Sequence, residues 1–463
     1  MKSEWNAELI AKICDGRILN PGLKEVTGFS TDTRTISSGN VYIALSGENF
    51  NGHAFAQMAI KKQAAGLIVS ENIEFEENCE AFVVKVNDCL EALQQCAHHY
   101  RKNHRGFFIG VTGSNGKTTT RAMLHHLLSE KHRCSATEGN LNNHIGLPLT
   151  ILSTPEDAEY VVLEMGMNHS GEIRELCRIA KPDAALVSNI GPAHIGILGS
   201  LENIAAAKAE IFELLPPDSQ AVAPSDNQFY ELFRSVAGES LKTFGQTNSP
   251  DYLIENIEMT ESNTSFNFSY QDMTIKCMLP LIGRHNAFNA AAALALYHSL
   301  GFDISSGAKR MQSFAAVNAR MEKVVKDGIN ILLDCYNANP GSTSEAVKYL
   351  SICSKPRIAV LGDMKELGDM SFELHRQVGK LVGELGPEVL LTVGTEAEAI
   401  AEAAIEAGMR QESVLALNSN EEAAELLKRE MKTGATVLFK ASRGMHFEKI
   451  VRSIWPELAE DLH

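Results

Sequence analysis

Apolar residues along this chain come in two recurring arrangements. Short, nearly uninterrupted runs have the length and β-branched content of buried strands: FFIGVT from Phe107, YVVLEMG from Tyr160, AALVSN from Ala184, INILLDCY from Ile329, RIAVLG from Arg357, EVLLTVG from Glu388 and TVLFKAS from Thr436. Between them lie stretches with apolar positions every three or four residues, the spacing of a helix with one buried face. Examples are KTTTRAMLHHLLSE from Lys117, LENIAAAKAEIFELL from Leu201 and SFELHRQVGKLVGELG from Ser371. Strands alternating with helices predict parallel sheets covered by helices, an α/β fold.

The alternation divides into three zones. Residues 1–104 hold shorter strand candidates (VYIAL, GLIVS, AFVVKV) and a helical stretch, HAFAQMAIKKQAA, which predict a small α/β domain. Residues 105–314 predict a central parallel sheet that ends in a hairpin, SFNFSYQDMTIKCML, and an Ala-rich helix, RHNAFNAAAALALYHSLG. Residues 315–463 repeat the alternation and predict a second open, doubly wound domain. No internal repeat or low-complexity tract is visible.

The length, 463 residues, fits three domains, and 44% hydrophobic with 22% charged residues is globular composition. The net charge of −16 argues against general nucleic-acid binding. Nine cysteines, odd in number and without a ladder spacing, predict reduced thiols. The chain opens without a signal-peptide pattern, and no run of about 18 apolar residues is free of charge. A cytoplasmic protein that inserts in no membrane is the expectation.

The strongest chemical signal is GVTGSNGKTTT, joining an apolar strand to a helix. Glycines let backbone N–H groups turn toward phosphates, the helix N-terminus adds positive potential, Lys117 reaches the outer phosphates and Thr118 suits Mg²⁺. Val111 stands where the regular P-loop has glycine, so this is a variant, and ATP is the expected ligand. Glu164, at the C-terminal end of its strand, faces the rim where open sheets bind ligands and suits Mg²⁺. His194, in the loop IGPAHIG, falls on the same rim. Lys208 lies on the apolar stripe of its helix, four residues after Ile204 and three before Ile211. Burial lowers a lysine's pKa, and a neutral amine can take up CO₂ to become a metal-ligating carbamate.

These segments, in this order, resemble the Mur ligase family. TGSNGKTT, the Glu164 strand, GPAHIG, KAEIF, GRHNAFNAAAALALY and NARMEKV carry the likeness over nearly the whole chain. LDCYNANPGSTSEAV and VLGDMKELG look like the branch that adds D-alanyl-D-alanine to UDP-N-acetylmuramoyl-tripeptide; the D-N-P-R signature of the diaminopimelate-adding sibling is absent. The resemblance implies an N-terminal domain for the UDP end of the substrate, a central ATP domain and a C-terminal Rossmann-like domain, working as a bacterial cytoplasmic monomer. It implies that Gly113, Ser114, Asn115, Gly116, Lys117, Thr118 and Thr119 hold phosphates, Asn286 and Asn289 face adenine, Arg320 meets the γ-phosphate and Asp334 the ribose. Two Mg²⁺ sites are implied, from Thr118, Glu164, His194 and a carbamylated Lys208, with Lys117, Lys208, His194 and Arg320 serving catalysis. Thr31, Thr33, Arg34, Asn49 and Phe50 match the segments receiving the uridine end, and Asn142 and Asn143 the one facing the muramoyl peptide. The chain departs from the family pattern at Leu333-Asp334-Cys335, at Lys440-Ala441-Ser442-Arg443 and at Phe447. Alternatives are another amide ligase on this scaffold, of Mur or folylpolyglutamate type, or a P-loop nucleotide switch without ligation chemistry.

Overall fold

The structure, a computed structural model, describes residues 4–76, 78–260, 262–315 and 321–459. Three main sheets organise it. The first has five strands in the order Arg17–Asn20, Phe82–Lys85, Gly66–Val69, Asn40–Ile43, Gly28–Ser30, parallel except for the first pair. The helix Cys89–Asn103, capped by Asp88 accepting from the N–H groups of Leu90 and Glu91, carries this unit onto the next. Tyr100 donates to the Thr154 carbonyl (2.6 Å), and Arg101 reaches the Ala180 carbonyl and Asp183 (both 2.8 Å). One apolar cluster runs through the junction, from Trp5 and Leu93 to Leu147 and Ile173.

The central sheet has nine strands in the order Met273–Leu279, Thr264–Tyr270, Tyr252–Met259, Leu241–Gly245, Gln220–Pro224, Ala184–Val187, Phe107–Thr112, Tyr160–Glu164, Cys134–Ala136. The last seven are mutually parallel, and the expected hairpin closes the other edge. Phe107–Thr112, first of the seven in sequence, has later strands on both sides, so the loop after it opens at the switch point where ligand crevices form. The Ala-rich helix Arg284–Ser299 is buried along most of its length, because alanine lets it approach the sheet closely.

The third sheet runs Glu322–Lys326, Ile329–Asp334, Thr436–Lys440, Arg357–Gly362, Val389–Val393, Val414–Leu417, antiparallel only at its first pair. Every strong apolar run of the sequence is a strand here. Strands the pattern did not predict are short or polar ones and include Arg17–Asn20, Gly28–Ser30, Cys134–Ala136, Gln220–Pro224, Leu241–Gly245, Tyr252–Met259, Glu322–Lys326 and Val414–Leu417. The helix expected over HAFAQMAIKKQAA is shorter, a 3₁₀ turn at Gly52–Phe55 leading into Ala56–Lys61.

Candidate active site

The phosphate loop is built by what packs behind it. Gly116 caps the helix Lys117–Leu128 with φ 74°, and a Cβ there would overlap the Asn289 carboxamide. Only glycine tolerates both the conformation and the contact. Asn289 is itself held by Thr120, which donates to its Oδ1 (3.4 Å), and by Asn286, which accepts from its Nδ2 (3.2 Å). On the other side, the Asn115 N–H donates to Asn189 Oδ1 (2.8 Å), and the Ser114 hydroxyl to the Gly191 carbonyl (2.9 Å). Lys117 Nζ donates to the Gly113 carbonyl at 2.9 Å, which holds the ammonium at the loop.

Glu164 ends its strand beside this helix and is buried. Its Oε2 accepts from the Thr118 hydroxyl at 2.8 Å and its Oε1 from Asn142 Nδ2 at 2.8 Å; Arg121 lies 3.9 Å from Oε2. Arg121 and the supporting role of Asn142 were not legible in the sequence, because both depend on side chains meeting across separate elements. Lys208, 1% exposed on the helix Leu201–Glu213, is buried as its place on the apolar stripe predicts. Burial, and then the like charge of Lys117, push its pKa well below the ordinary lysine value. Among the described residues, no three His, Cys, Asp or Glu side chains converge as a ready-made metal centre. A cation here would rest on the Thr118 and Glu164 oxygens, which converge, and would have His194 on the same cavity wall. That donor set is oxygen-rich and fits Mg²⁺.

A cavity of about 800 Å³ opens between the central and C-terminal sheets. Ser114, Asn115, Gly116, Lys117, Thr119, Glu164, His194, Asn286, Asn289, Asn142, Asn143 and Asp334 line it. Thr118 is buried and bonded to Glu164, and Lys208 is buried close enough to Lys117 for their charges to repel. Arg320 falls outside the described residues. The five N-terminal positions stand apart from the cavity lining: Thr33 is buried, Thr31 partly so, and Arg34 pairs with Asp32 (2.6 Å). Asn49 is exposed, and Phe50, 52% exposed, stacks on Phe55.

The C-terminal wall comes from the two segments the sequence singled out. Asn339 of YNANP caps the helix Pro340–Ile352, its side chain accepting from the Ser342 N–H, while its Nδ2 donates to Asn115 Oδ1 of the phosphate loop at 2.5 Å. Glu366 of GDMKELG places Oε2 2.7 Å from His194 Nδ1, and the imidazole holds this carboxyl below its ordinary range against the opposing effect of partial burial. Asp334 pairs with buried Lys440 at 2.7 Å. Glu345, on the Pro340–Ile352 helix, lies 3.7 Å from His285 of the central helix and 2.9 Å from Lys348. Burial alone would raise its pKa, but His285 and Lys348 outweigh it and bring it to about 2.

A variant P-loop at a sheet switch point, facing a second nucleotide-fold domain across a polar cleft, defines a nucleotide-dependent ligase of three domains. The chain belongs to the Mur ligase family: residues 25–101 match the family's catalytic domain, 111–297 the Mur ligase middle domain and 319–443 the Mur ligase, glutamate ligase domain. It is 36% identical to the UDP-N-acetylmuramoyl-tripeptide--D-alanyl-D-alanine ligase of Bacillus subtilis (strain 168), over 96% of this chain and 97% of that one. Among solved structures, MurF from Acinetobacter baumannii superposes with a TM-score of 0.88 at 30% identity, covering 98% of this chain and 99% of that one. MurF from Thermotoga maritima, in complex with ADP, gives 0.81 at 29% identity, covering 94% and 98%.

Proposed function

We propose that this enzyme joins D-alanyl-D-alanine to UDP-N-acetylmuramoyl-tripeptide, converting ATP to ADP and phosphate and yielding UDP-N-acetylmuramoyl-pentapeptide for peptidoglycan. The observation that carries the reading is the cleft itself, where the phosphate loop, Glu164 and His194 meet the YNANP and GDMKELG segments of the C-terminal domain.

Hydroxide is too poor a leaving group for a carboxylate and an amine to condense directly. The tripeptide carboxylate therefore attacks the γ-phosphorus, ADP departs, and an acyl phosphate forms. The amine of the dipeptide then attacks the acyl carbon, and the tetrahedral intermediate expels phosphate. Lys117 and the backbone N–H groups at the start of its helix, residues 116–119, cradle the phosphates, with Gly113, Ser114 and Asn115 shaping the loop around them; Arg320 complements the charge in transfer, an effect worth several kcal/mol. Asn286 and Asn289 would face the adenine, Asn289 also bracing the loop, and Asp334, fixed by Lys440, would meet the ribose. Thr118 and Glu164 would hold one Mg²⁺, and His194 with a carbamylated Lys208 a second; the chemistry such ions would supply is neutralisation of the negative charge gathered by phosphates and carboxylate. Thr31, Thr33, Arg34, Asn49 and Phe50 would receive the uridine end, and Asn142 and Asn143 the muramoyl peptide. Acyl phosphates hydrolyse, so the C-terminal domain closes the cleft against water.

The domain borders are set at 104/105 and 314/315, and the enzyme works as a monomer in the bacterial cytoplasm. The nine cysteines, all free thiols, support that compartment, and no described helix is long and apolar enough to cross a membrane. The deciding experiment measures phosphate release from ATP with UDP-tripeptide, carrying lysine or diaminopimelate third, with and without D-alanyl-D-alanine. Dipeptide-dependent release with a pentapeptide product by mass spectrometry is expected. Release that ignores the dipeptide, or that responds to glutamate instead, would overturn the assignment.

A further inference from the structure

The GDMKELG segment touches the central domain at one residue in an unusual way. Glu366 has φ 66° and His194, facing it, φ 63°. Left-handed backbone costs a non-glycine residue about 1–3 kcal/mol and persists where surroundings over-determine it. The surroundings here are each other. The Gly196 N–H donates to the Glu366 carbonyl at 3.0 Å, and the backbones approach so closely that a Cβ on Gly196 would overlap the Gly368 nitrogen. This double contact brings Glu366 Oε2 to 2.7 Å from His194 Nδ1, an ion-pair approach without the alignment of a hydrogen bond, and among the described residues nothing hydrogen-bonds the buried Nδ1.

The two imidazole nitrogens are not equivalent. Whichever one carries the proton, the other presents the lone pair, and the partner of one therefore chooses the role of the other. A carboxylate beside Nδ1 favours the Nδ1–H form and frees Nε2. We propose that Glu366 is a positioning residue for the ligation reaction: brought beside Nδ1 by the C-terminal domain, its carboxylate accepts the Nδ1–H of His194 once it turns into the ring plane, and leaves the Nε2 lone pair as the cation ligand. The central domain's cation site is then complete only with the C-terminal domain in place, which joins closure to the assembly of the reacting centre. It also gives a physical role to the glutamate of GDMKELG. The catalytic consequence rests on the ligase reading, whereas the imidazole tautomer is a property of the protein alone.

The test uses full-length protein with ¹⁵N-labelled histidine, metal-free and at a pH where the ring is neutral; a His194→Asn spectrum assigns the signal. The wild type should show His194 as Nδ1–H. Glu366→Ala should move it toward the Nε2–H form, and Glu366→Gln, whose amide oxygen still accepts, should keep Nδ1–H. Mn²⁺ binding in the presence of a non-hydrolysable ATP analogue, followed by electron paramagnetic resonance, should weaken about 10–100-fold in Glu366→Ala and stay within about threefold in Glu366→Gln. A wild-type ring already in the Nε2–H form overturns the proposal without any variant. So does Glu366→Ala protein with unchanged tautomer and unchanged Mn²⁺ affinity. Failure of the ligase reading would show instead in the phosphate-release assay and leave both of these readouts as they are.

Discussion

At the scale of single residues, two environments in the candidate site stand out. Gly116 holds the phosphate loop in a left-handed turn against Asn289. Gly116→Ala should cost about 1–2 kcal/mol for the backbone alone, with further loss from the overlap, and reduce nucleotide affinity by at least about tenfold in isothermal titration. Lys208 is the second. Its folded pKa lies below its unfolded one, so between the two the unfolded chain binds the proton and the folded chain does not; stability therefore rises with pH across that window. In CO₂-free, metal-free buffer, Lys208→Met should melt a few degrees higher than wild type near pH 7. The gap should narrow as the pH rises toward the ordinary lysine pKa of 10.5, while ligation is lost. Neither site needed the structure to be suspected, since GKTT and the stripe position are sequence features. The partners that make each work, Asn289 for the first and Lys117 for the second, are far away along the chain.

At the scale of elements, the helix Pro340–Ile352 shows how one residue serves fold and cleft together. The Asn339 oxygen caps the helix while its amide nitrogen reaches Asn115. Asn339→Asp keeps the acceptor and removes the donor, so chemical denaturation should be altered by less than about 0.5 kcal/mol while turnover falls. Asn339→Ala loses both, costing about 1 kcal/mol of stability as well. If the two variants lost turnover in proportion to stability, the contact with the phosphate loop would have no separate role. Proline in the first turn is compatible with the helix that Asn339 caps. That the Asn339 amide reaches the phosphate loop was not legible, because local sequence does not encode how two domains face each other.

At the scale of the whole molecule, the central and C-terminal domains meet through a few close contacts at the cleft, with Ile195, Leu198 and Leu367 in one apolar cluster beside the Gly196–Glu366 hydrogen bond. Gly196→Ala is compatible with its helical turn but would press a methyl group into the backbone of Leu367 and Gly368. It should leave each domain's melting intact, raise the radius of gyration in small-angle scattering and cut turnover more than about tenfold. Glu345, tied to His285 across the boundary, gives the boundary an acid limit. Its carboxyl falls from 4.5 to about 2 on folding, so its contribution is full above 4.5 and disappears as the pH drops through about 2. Glu345→Gln should lower stability near neutral pH by about 1–2 kcal/mol, after discounting for the exposure of Lys348, and converge on wild type in acid.

What the sequence determined by itself was the class of fold, the phosphate loop and the buried lysine. Each is written in local patterns: strand and helix periodicity, glycines before GKTT, a lysine among apolar residues at helical spacing. Short strands such as Cys134–Ala136 and Val414–Leu417 escaped, since three or four residues carry too little periodicity to stand out. The tertiary structure alone decided the pairings, Glu164 with Thr118 and Asn142, Asn339 with Asn115, and Glu366 with His194. These join residues 22 to 224 positions apart, and a side chain's partner at such separations is fixed by how sheets and domains pack, for which no local pattern exists.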